Sequence, residues 1–357
     1  MHMHHLCCGI HIPAYSWLDT DIRLRSSAEF SFGLWIAESM PNLPIEKIRI
    51  GVSSCLIGER VRYDGDHKRD AFIADTLGAA FELVPVCPEV AIGMGVPRPR
   101  IRLVGDPHRP RALGVEDVGL DVTAPLTAFA RRMALELDDV GAYIFKSRSP
   151  SCGPVRVKVY QHGKARAQGI GLYAREIVSR QPLLPVEDEA RLVEPMWRDN
   201  FIERIFAYRR WQQLSASEFT PAALMEFHAC HKLSLMAHGA VYYRMLGRLV
   251  AEAKGRRPVQ VLEEYGAVFM AAMKRPATRK RQVNVLQHIM GYLKKHIDHD
   301  DKAELFEMIE AYRLGVLSLI APQTLLRHHF RRFPHPYVEK QVYLYPDPLE
   351  QQLRCNT

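Results

Sequence analysis

The chain has 357 residues, of which 47% are hydrophobic and 25% are charged. This composition is typical of a globular protein and excludes a disordered or fibrous chain, and the length is sufficient for two domains with separate cores. No run approaches the ~18 consecutive apolar residues that a membrane span needs, so the sequence predicts no membrane-spanning segment. Seven cysteines are too few and too widely spaced for a disulfide scaffold, which favours a reducing, cytoplasmic location.

The formal net charge of +8 is unevenly distributed along the chain. Residues 1–194 carry 24 Lys and Arg against 24 Asp and Glu, whereas residues 195–357 carry 24 against 16. The whole excess therefore lies in the C-terminal part. Two interpretations are open: a solvated helical face, or a surface that attracts a polyanion such as RNA.

The N-terminal stretch shows neither a helical nor a strand period, and residues 1–46 are predicted to be a disordered or untranslated tail. It has no signal-peptide pattern. Cys7 and Cys8 stand near three histidines, a composition that metal-binding tracts share, but we favour an unstructured or absent segment. Because regular structure is expected only after Met40, we expect residues 1–39 to be dispensable and Met40 to be an alternative start.

The next segment alternates short apolar runs with amphipathic stretches. In chain order it reads as strand IRIGVS, helix AFIADTLGAA, strand FELVPV, a Pro/Arg/Gly-rich loop at 92–111, a helix around 122–138, strand AYIFK, then VRVKVY, LYAREIVSR and PLLPV. Strands that alternate with helices predict a parallel α/β sheet of Rossmann-like type. We assign this domain to residues 47–194.

Three cysteines follow three of these predicted strands directly: Cys55, Cys87 and Cys152. The loops beyond the carboxyl ends of parallel strands converge on one crevice, so we expect the three thiols to meet there. A single cysteine in such a place is an ordinary small buried residue, but three together indicate a site. Three thiolates suit either a zinc ion or an iron–sulfur cluster with one iron open to substrate, and a soft iron would suit a sulfur-containing substrate.

The sequence around these cysteines resembles a known family. VSSCLIGERVRYDGDHK, VCPEVAIGMGVPRPR and KSRSPSCG are similar, in order, to the three motifs of the thiouracil desulfidase-like family, over roughly residues 47–190. The resemblance implies a [4Fe-4S] cluster held by Cys55, Cys87 and Cys152, whose fourth iron binds the sulfur of a thiolated pyrimidine. Hydrolysis would then give the keto base and hydrosulfide.

Attack of water on a C=S carbon needs a base and hydrogen-bond donors for the ring. Glu89, two residues after Cys87, is our candidate base; alternatively, it is a carboxylate that stabilises a helix N-terminus. Ser149 and Ser151 flank the third motif and are candidate donors to the substrate. Asp64 and Lys68 lie in a polar loop with a strong turn signal and are weaker candidates for the site.

Beyond Pro195 the pattern changes to successive amphipathic helices, which predicts an all-helical domain over residues 195–357. Its motifs FHACHK, LMAH and NVLQHIMGYLKK resemble the YbgA-like proteins, whose activity no motif here explains. His228, His231 and His238 fall close to one helical face, where they are either ligands or, as we favour, a stripe packed between helices.

Two basic clusters of this domain are candidates for contact with RNA phosphates. They are Arg279, Lys280 and Arg281, and Arg327, Arg331 and Arg332. On this interpretation the helical domain binds tRNA or another RNA and presents a thiolated nucleotide to the cluster.

The sequence therefore predicts a two-domain, iron–sulfur-dependent hydrolase that desulfurates a thiolated pyrimidine base, nucleoside or tRNA. The alternatives are a nucleic-acid-binding adaptor or regulator with a structural or redox-sensing cluster, and a three-cysteine zinc protein. The absence of a fourth cysteine in the motif loops favours the enzyme, because structural sites are usually closed. Cys230 would complete the set only if the helical domain folded over the crevice.

Overall fold

The structure is a computed structural model that describes residues 47–355, apart from the side chains of residues 166 and 167. The predicted tail of residues 1–46, with Cys7, Cys8 and Met40, lies outside the described residues, so its dispensability stays a prediction. Within residues 47–355, none of the helices is both long and apolar enough to cross a membrane.

Eight strands lie in the described part of the chain and form two sheets of four. In chain order they are β1 (Arg49–Ser53), β2 (Glu82–Val86), β3 (Ile101–Val104), β4 (Arg111–Gly114), β5 (Ala142–Phe145), β6 (Val157–Gln161), β7 (Lys164–Gly169) and β8 (Val186–Asp188). The first sheet has the order β2-β1-β5-β8, and each neighbouring pair is parallel. The predicted parallel α/β architecture is confirmed.

The second sheet has the order β4-β3-β6-β7 and is mixed. Strands β3 and β6 are parallel, whereas β4 and β7 pair antiparallel with them at the two edges. Strand β3 lies inside the segment that we interpreted as a loop, so that interpretation was wrong there. Ile101 and Leu103 are buried while Arg102 is partly exposed, which is the alternation of a strand with one buried face.

Short helices connect these strands. They are a 3₁₀ turn (Ser54–Ile57), a π-helical turn (Phe72–Leu77) that continues as α1 (Gly78–Ala80), α2 (Pro88–Ala91), α3 (Thr123–Glu136) and α4 (Leu172–Arg180). The first sheet is buried on both faces: Ile50, Val52 and Ile144 belong to one core, whereas Tyr143 and Phe145 belong to the core beneath α3 and α4. The sheet is thus a rigid base for the loops at its carboxyl edge.

The rest of the described chain is helical, which confirms the predicted fold class. It contains α5 (Pro195–Ala216), α6 (Pro221–His238), α7 (Ala240–Ala251), α8 (Pro258–Met273), α9 (Arg279–Leu293), α10 (His299–Leu314), α11 (Ile320–Arg332), α12 (Pro336–Glu339) and α13 (Pro348–Cys355). Thr220 and Thr278 cap α6 and α9 through their hydroxyl oxygens. The last two helices were not predicted.

Helix α5 belongs to the helical part but packs on the first sheet. Phe201, Ile202 and Ile205 share a hydrophobic core with Ile50 and Val52. From Lys47 onward the described chain forms one compact unit. The division into domains at residue 195 stays a prediction.

Candidate active site

The carboxyl ends of β2, β1 and β5, which are neighbours in the first sheet, open onto one cavity of about 590 Å³. Cys55, Cys87 and Cys152 all line this cavity, and all three are free thiols. They reach it because parallel strands end at the same edge of the sheet. The structure thus brings the three cysteines of the motifs together from three separate loops.

The first two cysteines stand where strands turn directly into short helices. Cys55 lies in the 3₁₀ turn that follows β1, and its carbonyl oxygen accepts a hydrogen bond of 2.8 Å from the Lys68 N–H. Cys87 is the N-cap of α2, and its Sγ lies 3.7 Å from the carbonyl oxygen of Val61. Both cysteine residues are thereby held at a strand end, Cys55 through its backbone and Cys87 also through its thiol.

Cys152 is fixed by a turn that the Ser149 side chain closes. The Ser149 Oγ accepts hydrogen bonds from the N–H groups of Ser151 (3.2 Å) and Cys152 (3.0 Å). A Cβ at Gly153 would lie 2.4 Å from Val157 Cγ2 and 2.8 Å from the Ser149 carbonyl oxygen. The SPSCG motif therefore needs glycine at its last position because the backbone packs closely there.

Burial raises the pKa of each thiol. The pKa of Cys55 rises to about 11, mainly through burial and partly opposed by Lys146. Burial also raises the pKa of Cys152 well above its ordinary value, with further contributions from the charges of Glu89 and Cys87. For Cys87 burial again dominates, opposed by the Val90 N–H. Binding of a metal at these thiols must therefore displace protons.

Glu89 lines the same cavity and is held at both oxygens. Its Oε1 accepts a hydrogen bond of 2.8 Å from the Ser151 hydroxyl, and its Oε2 accepts one of 2.8 Å from the Arg98 Nε. It also lies in the first turn of α2, as the alternative interpretation of a carboxylate that stabilises a helix N-terminus requires. A carboxylate can accept about four hydrogen bonds, so both roles are compatible.

The other site residues that we predicted from the sequence do not all line the cavity. Ser149 lines the cavity, whereas Ser151 is buried and its hydroxyl points to Glu89 rather than to a substrate. Asp64 and Lys68 are exposed and do not line the cavity, and Asp64 pairs with Arg62 at 3.1 Å. Their loop serves the site instead through its backbone, which supports Cys55.

Two features of the cavity were missed by the sequence reasoning. The Arg98 guanidinium is buried, bridges Glu89 and the Val61 carbonyl oxygen, and has one nitrogen 4.0 Å from the Cys87 sulfur. Lys146 forms an ion pair with Glu189 near Cys55. Lys146 follows β5 directly, and that position at a strand end was an available signal.

The histidines of the helical part pack between helices. The Nδ1 of His228 lies 3.0 Å from the Tyr265 hydroxyl, and the Nδ1 of His231 lies 2.8 Å from a carbonyl oxygen of its own helix. His238 lies 3.1 Å from Glu203. Cys230 does not line the cavity at the sheet edge. This arrangement is the packed stripe that we favoured.

Some residues of the two basic clusters in the helical part form hydrogen bonds within the protein. Arg279 donates to the carbonyl oxygen of Tyr312 at 2.5 Å, and Arg281 donates to that of His238 at 3.0 Å. Arg327 donates to Gln351 at 3.0 Å. Lys280, Arg331 and Arg332 are exposed. Contact between these clusters and RNA stays a prediction.

Taken together, the fold and the cavity define an α/β protein with a three-cysteine site at the carboxyl edge of a parallel sheet, joined to a helical bundle. Residues 50–189 match the family 2-thiouracil desulfurase, and residues 232–348 match a family described as protein of unknown function, DUF1722. The chain belongs to the 2-thiouracil desulfurase family through its α/β part and to the DUF1722 family through its helical part, which confirms both resemblances.

Two relatives are each similar to a part of this chain. The chain is 30% identical over 146 residues to the uncharacterized protein YbgA of Escherichia coli (strain K12), covering 41% of this chain and 86% of YbgA. It is also similar to a solved structure named [4Fe-4S]-dependent thiouracil desulfidase TudS, with 32% identity and a TM-score of 0.34, covering 41% of this chain and 94% of TudS.

Proposed function

We propose that this protein is a [4Fe-4S]-dependent desulfidase that removes sulfur from a thiolated pyrimidine by hydrolysis. The observation that supports this is the meeting of Cys55, Cys87 and Cys152 at one cavity, in a segment that matches the 2-thiouracil desulfurase family.

Three thiols at one cavity suit either a zinc ion or an iron–sulfur cluster with one iron open to substrate. Among the described residues, no group of three or more His, Cys, Asp and Glu side chains is arranged to hold a metal ion, and this result applies to zinc and to a cluster alike. We favour the cluster because a soft iron suits the sulfur of a thiolated base, the substrate that the match to the 2-thiouracil desulfurase family indicates.

When bound, such a cluster supplies one iron without a protein ligand, a Lewis acid that polarises the C–S bond of the ring. Water adds its oxygen to the ring carbon, the C–S bond breaks, and sulfur leaves as hydrosulfide; no oxidant or reductant is needed. The proton that the water loses must have an acceptor beside the ring.

Glu89 is the proposed acceptor. It is the one carboxylate in the described lining of the cavity, and Ser151 and Arg98 fix both of its oxygens. The buried guanidinium compensates the charge that the carboxylate carries inside the protein. Ser149 accepts two backbone N–H bonds, so its own O–H can donate to the ring.

The test begins with anaerobic purification, iron and sulfide analysis and visible absorption. About four irons per chain are expected, together with sulfide release from 2-thiouracil or thiouridine. Glu89→Gln should keep the absorbance while sulfide release falls by about 10² to 10⁴, the usual contribution of a general base. Ser149→Ala should reduce the rate less, because one neutral donor contributes less than the proton acceptor.

Glu176→Gln, on helix α4 and away from the cavity, is the matched control and should retain full activity. A bound cluster with no release from any thiolated pyrimidine would indicate the structural or redox-sensing alternative. One zinc per chain in place of iron would indicate the zinc protein.

A further inference from the structure

A second cavity lies between helix α8 and the segment that joins α4 to β8. It has a volume of about 520 Å³, which is within the range of small-molecule sites, and among the described residues it shares no lining residue with the cysteine cavity. Most of its described lining is apolar, and three of its side chains are charged: Arg204, Glu263 and Lys274. Glu263 and Lys274 are exposed and opposite in charge, whereas Arg204 is buried. We call this space the α8 cavity.

The sequence explains why the α8 cavity is open and apolar. Ala267 and Ala271 are about one turn apart on α8 and both line the cavity, so methyl groups stand where longer side chains would fill it. A second wall is the segment PLLPV, residues 182–186, whose two prolines have no N–H group. The carbonyl oxygen of Pro185 already accepts the Tyr143 N–H at 2.9 Å. These walls therefore offer a ligand apolar contact and few hydrogen bonds.

Arg204 of helix α5 is the exception to this apolar lining. Its side chain is 3% exposed, and its Nη2 donates a hydrogen bond of 2.5 Å to Glu187 Oε1. Its Nε is also buried and has no hydrogen-bond partner in residues 47–355. Because buried N–H groups are almost always paired, this one indicates a ligand that brings an acceptor oxygen into the cavity.

The charges around Arg204 favour an anionic acceptor over a neutral one. Glu187 pairs with Arg204 and also lies 3.7 Å from the Arg191 Nε, so one carboxylate serves two guanidinium groups. The neighbouring Glu203 is held by His238 at 3.1 Å. The group of Arg204, Arg191 and Glu187 therefore has one positive charge in excess, and a hydrogen bond from a cation to an anion is stronger than one to a neutral oxygen.

We propose that the α8 cavity binds a small molecule that carries a carboxylate group on an apolar body. The carboxylate lies at Arg204, and the apolar body packs against Ala267 and Ala271. Arginine suits this role because its guanidinium stays charged when buried and matches the geometry of a carboxylate. The inference goes beyond the proposed desulfidase function and does not depend on it, because the α8 cavity is separate from the cysteine cavity.

Binding is tested by isothermal titration calorimetry of the full chain with two acids and their neutral amides. Octanoate and 1-naphthoate differ in the shape of the apolar body, and octanamide and 1-naphthamide keep each body without the charge. At least one acid should bind about 10-fold to 100-fold more tightly than its amide, which is the contribution of a hydrogen bond to a charged group.

Two variants locate the acid in the α8 cavity. Ala267→Phe and Ala271→Phe add a ring on the lining face of α8 and should each weaken binding of the acid by at least about 10-fold, because the ring occupies the space of the apolar body. Both alanines are exposed, so the helix should tolerate the change. Ala222→Phe, at an exposed alanine of α6 outside the cavity, is the matched control and should bind the acid like the unaltered chain.

A double variant tests Arg204 itself. Arg204→Met combined with Glu187→Gln removes both charges of the buried pair and should bind the acid no better than the amide. Circular dichroism checks its folding, and if it does not fold, the comparison of acid with amide in the unaltered chain still decides. Absence of binding by both acids, equal affinities of each acid and its amide, or acid binding that survives both phenylalanine variants would overturn the proposal.

Discussion

Replacement of Arg98 by methionine should destabilise the protein strongly, because the Arg98 guanidinium is buried beside the Glu89 carboxylate. Its side chain is 4% exposed and that of Glu89 is 13% exposed, and the two are 2.8 Å apart. Removing one member of a buried ion pair leaves the other charge uncompensated, at a cost of about 3–5 kcal/mol. Because Glu89 keeps some contact with solvent, we expect the lower end, about 3 kcal/mol.

This cost can be converted into a melting temperature. With an unfolding entropy of about 2.1 cal/mol/K per residue over the described chain, ~3 kcal/mol corresponds to a fall in Tm of about 5 °C. Thermal unfolding followed by circular dichroism measures it. Adding Glu89→Gln to Arg98→Met should recover much of the loss, since the double variant buries no charge. Arg100→Met is the control, because its pair with Glu116 is exposed and should contribute nothing measurable.

A fall of less than 1 °C in the Arg98→Met variant would refute this reasoning. So would a double variant that melts below the single one, because the loss would then come from packing around the guanidinium rather than from the unpaired carboxylate.

Two further predictions concern other parts of the chain. Cys152→Ser should lose bound iron after anaerobic purification, whereas Cys230→Ser should keep it, because Cys230 does not line the cavity; iron analysis of both variants decides. Burial raises the pKa of Glu203, but His238 and Arg354 outweigh it and lower the pKa to about 2. This carboxylate therefore contributes stability above its unfolded pKa near 4.5 that is lost as the pH falls towards 2, so acid unfolding should be less steep in Glu203→Gln.

The meeting of the three cysteines could be predicted from the sequence for a topological reason. Each cysteine follows an apolar run of strand length, and parallel strands place all such positions at one edge of the sheet. The prediction needed only the strand assignments and not the strand order. The start of helix α6 could also be predicted from the sequence, because Thr220 before Pro221 is a local capping signal.

The rest of the site depends on contacts between residues that are distant in sequence. Ser151 was expected to face the substrate, but its hydroxyl binds Glu89, 62 residues away. The pair of Lys146 and Glu189 spans 43 residues. No local pattern encodes such partners. Strand β3 was not predicted because its four residues are flanked by prolines and arginines that are typical of a loop.

The shared core of α5 and the first sheet leads to a final prediction about where the chain can be divided. Helix α5 buries four large apolar side chains against the sheet: Phe201, Ile202, Ile205 and Phe206. Each fully buried side chain of this size contributes about 1.5–3 kcal/mol, so the four contribute roughly 6–12 kcal/mol. A typical domain is stable by only about 5–15 kcal/mol.

A chain that ends at residue 194 should therefore be unfolded or insoluble, whereas a chain that ends at residue 216 should unfold cooperatively and bind iron. Circular dichroism and iron analysis of the two chains compare them directly. Equal folding of both would show that the α/β part does not need α5, and that the boundary at residue 195 separates two independent domains.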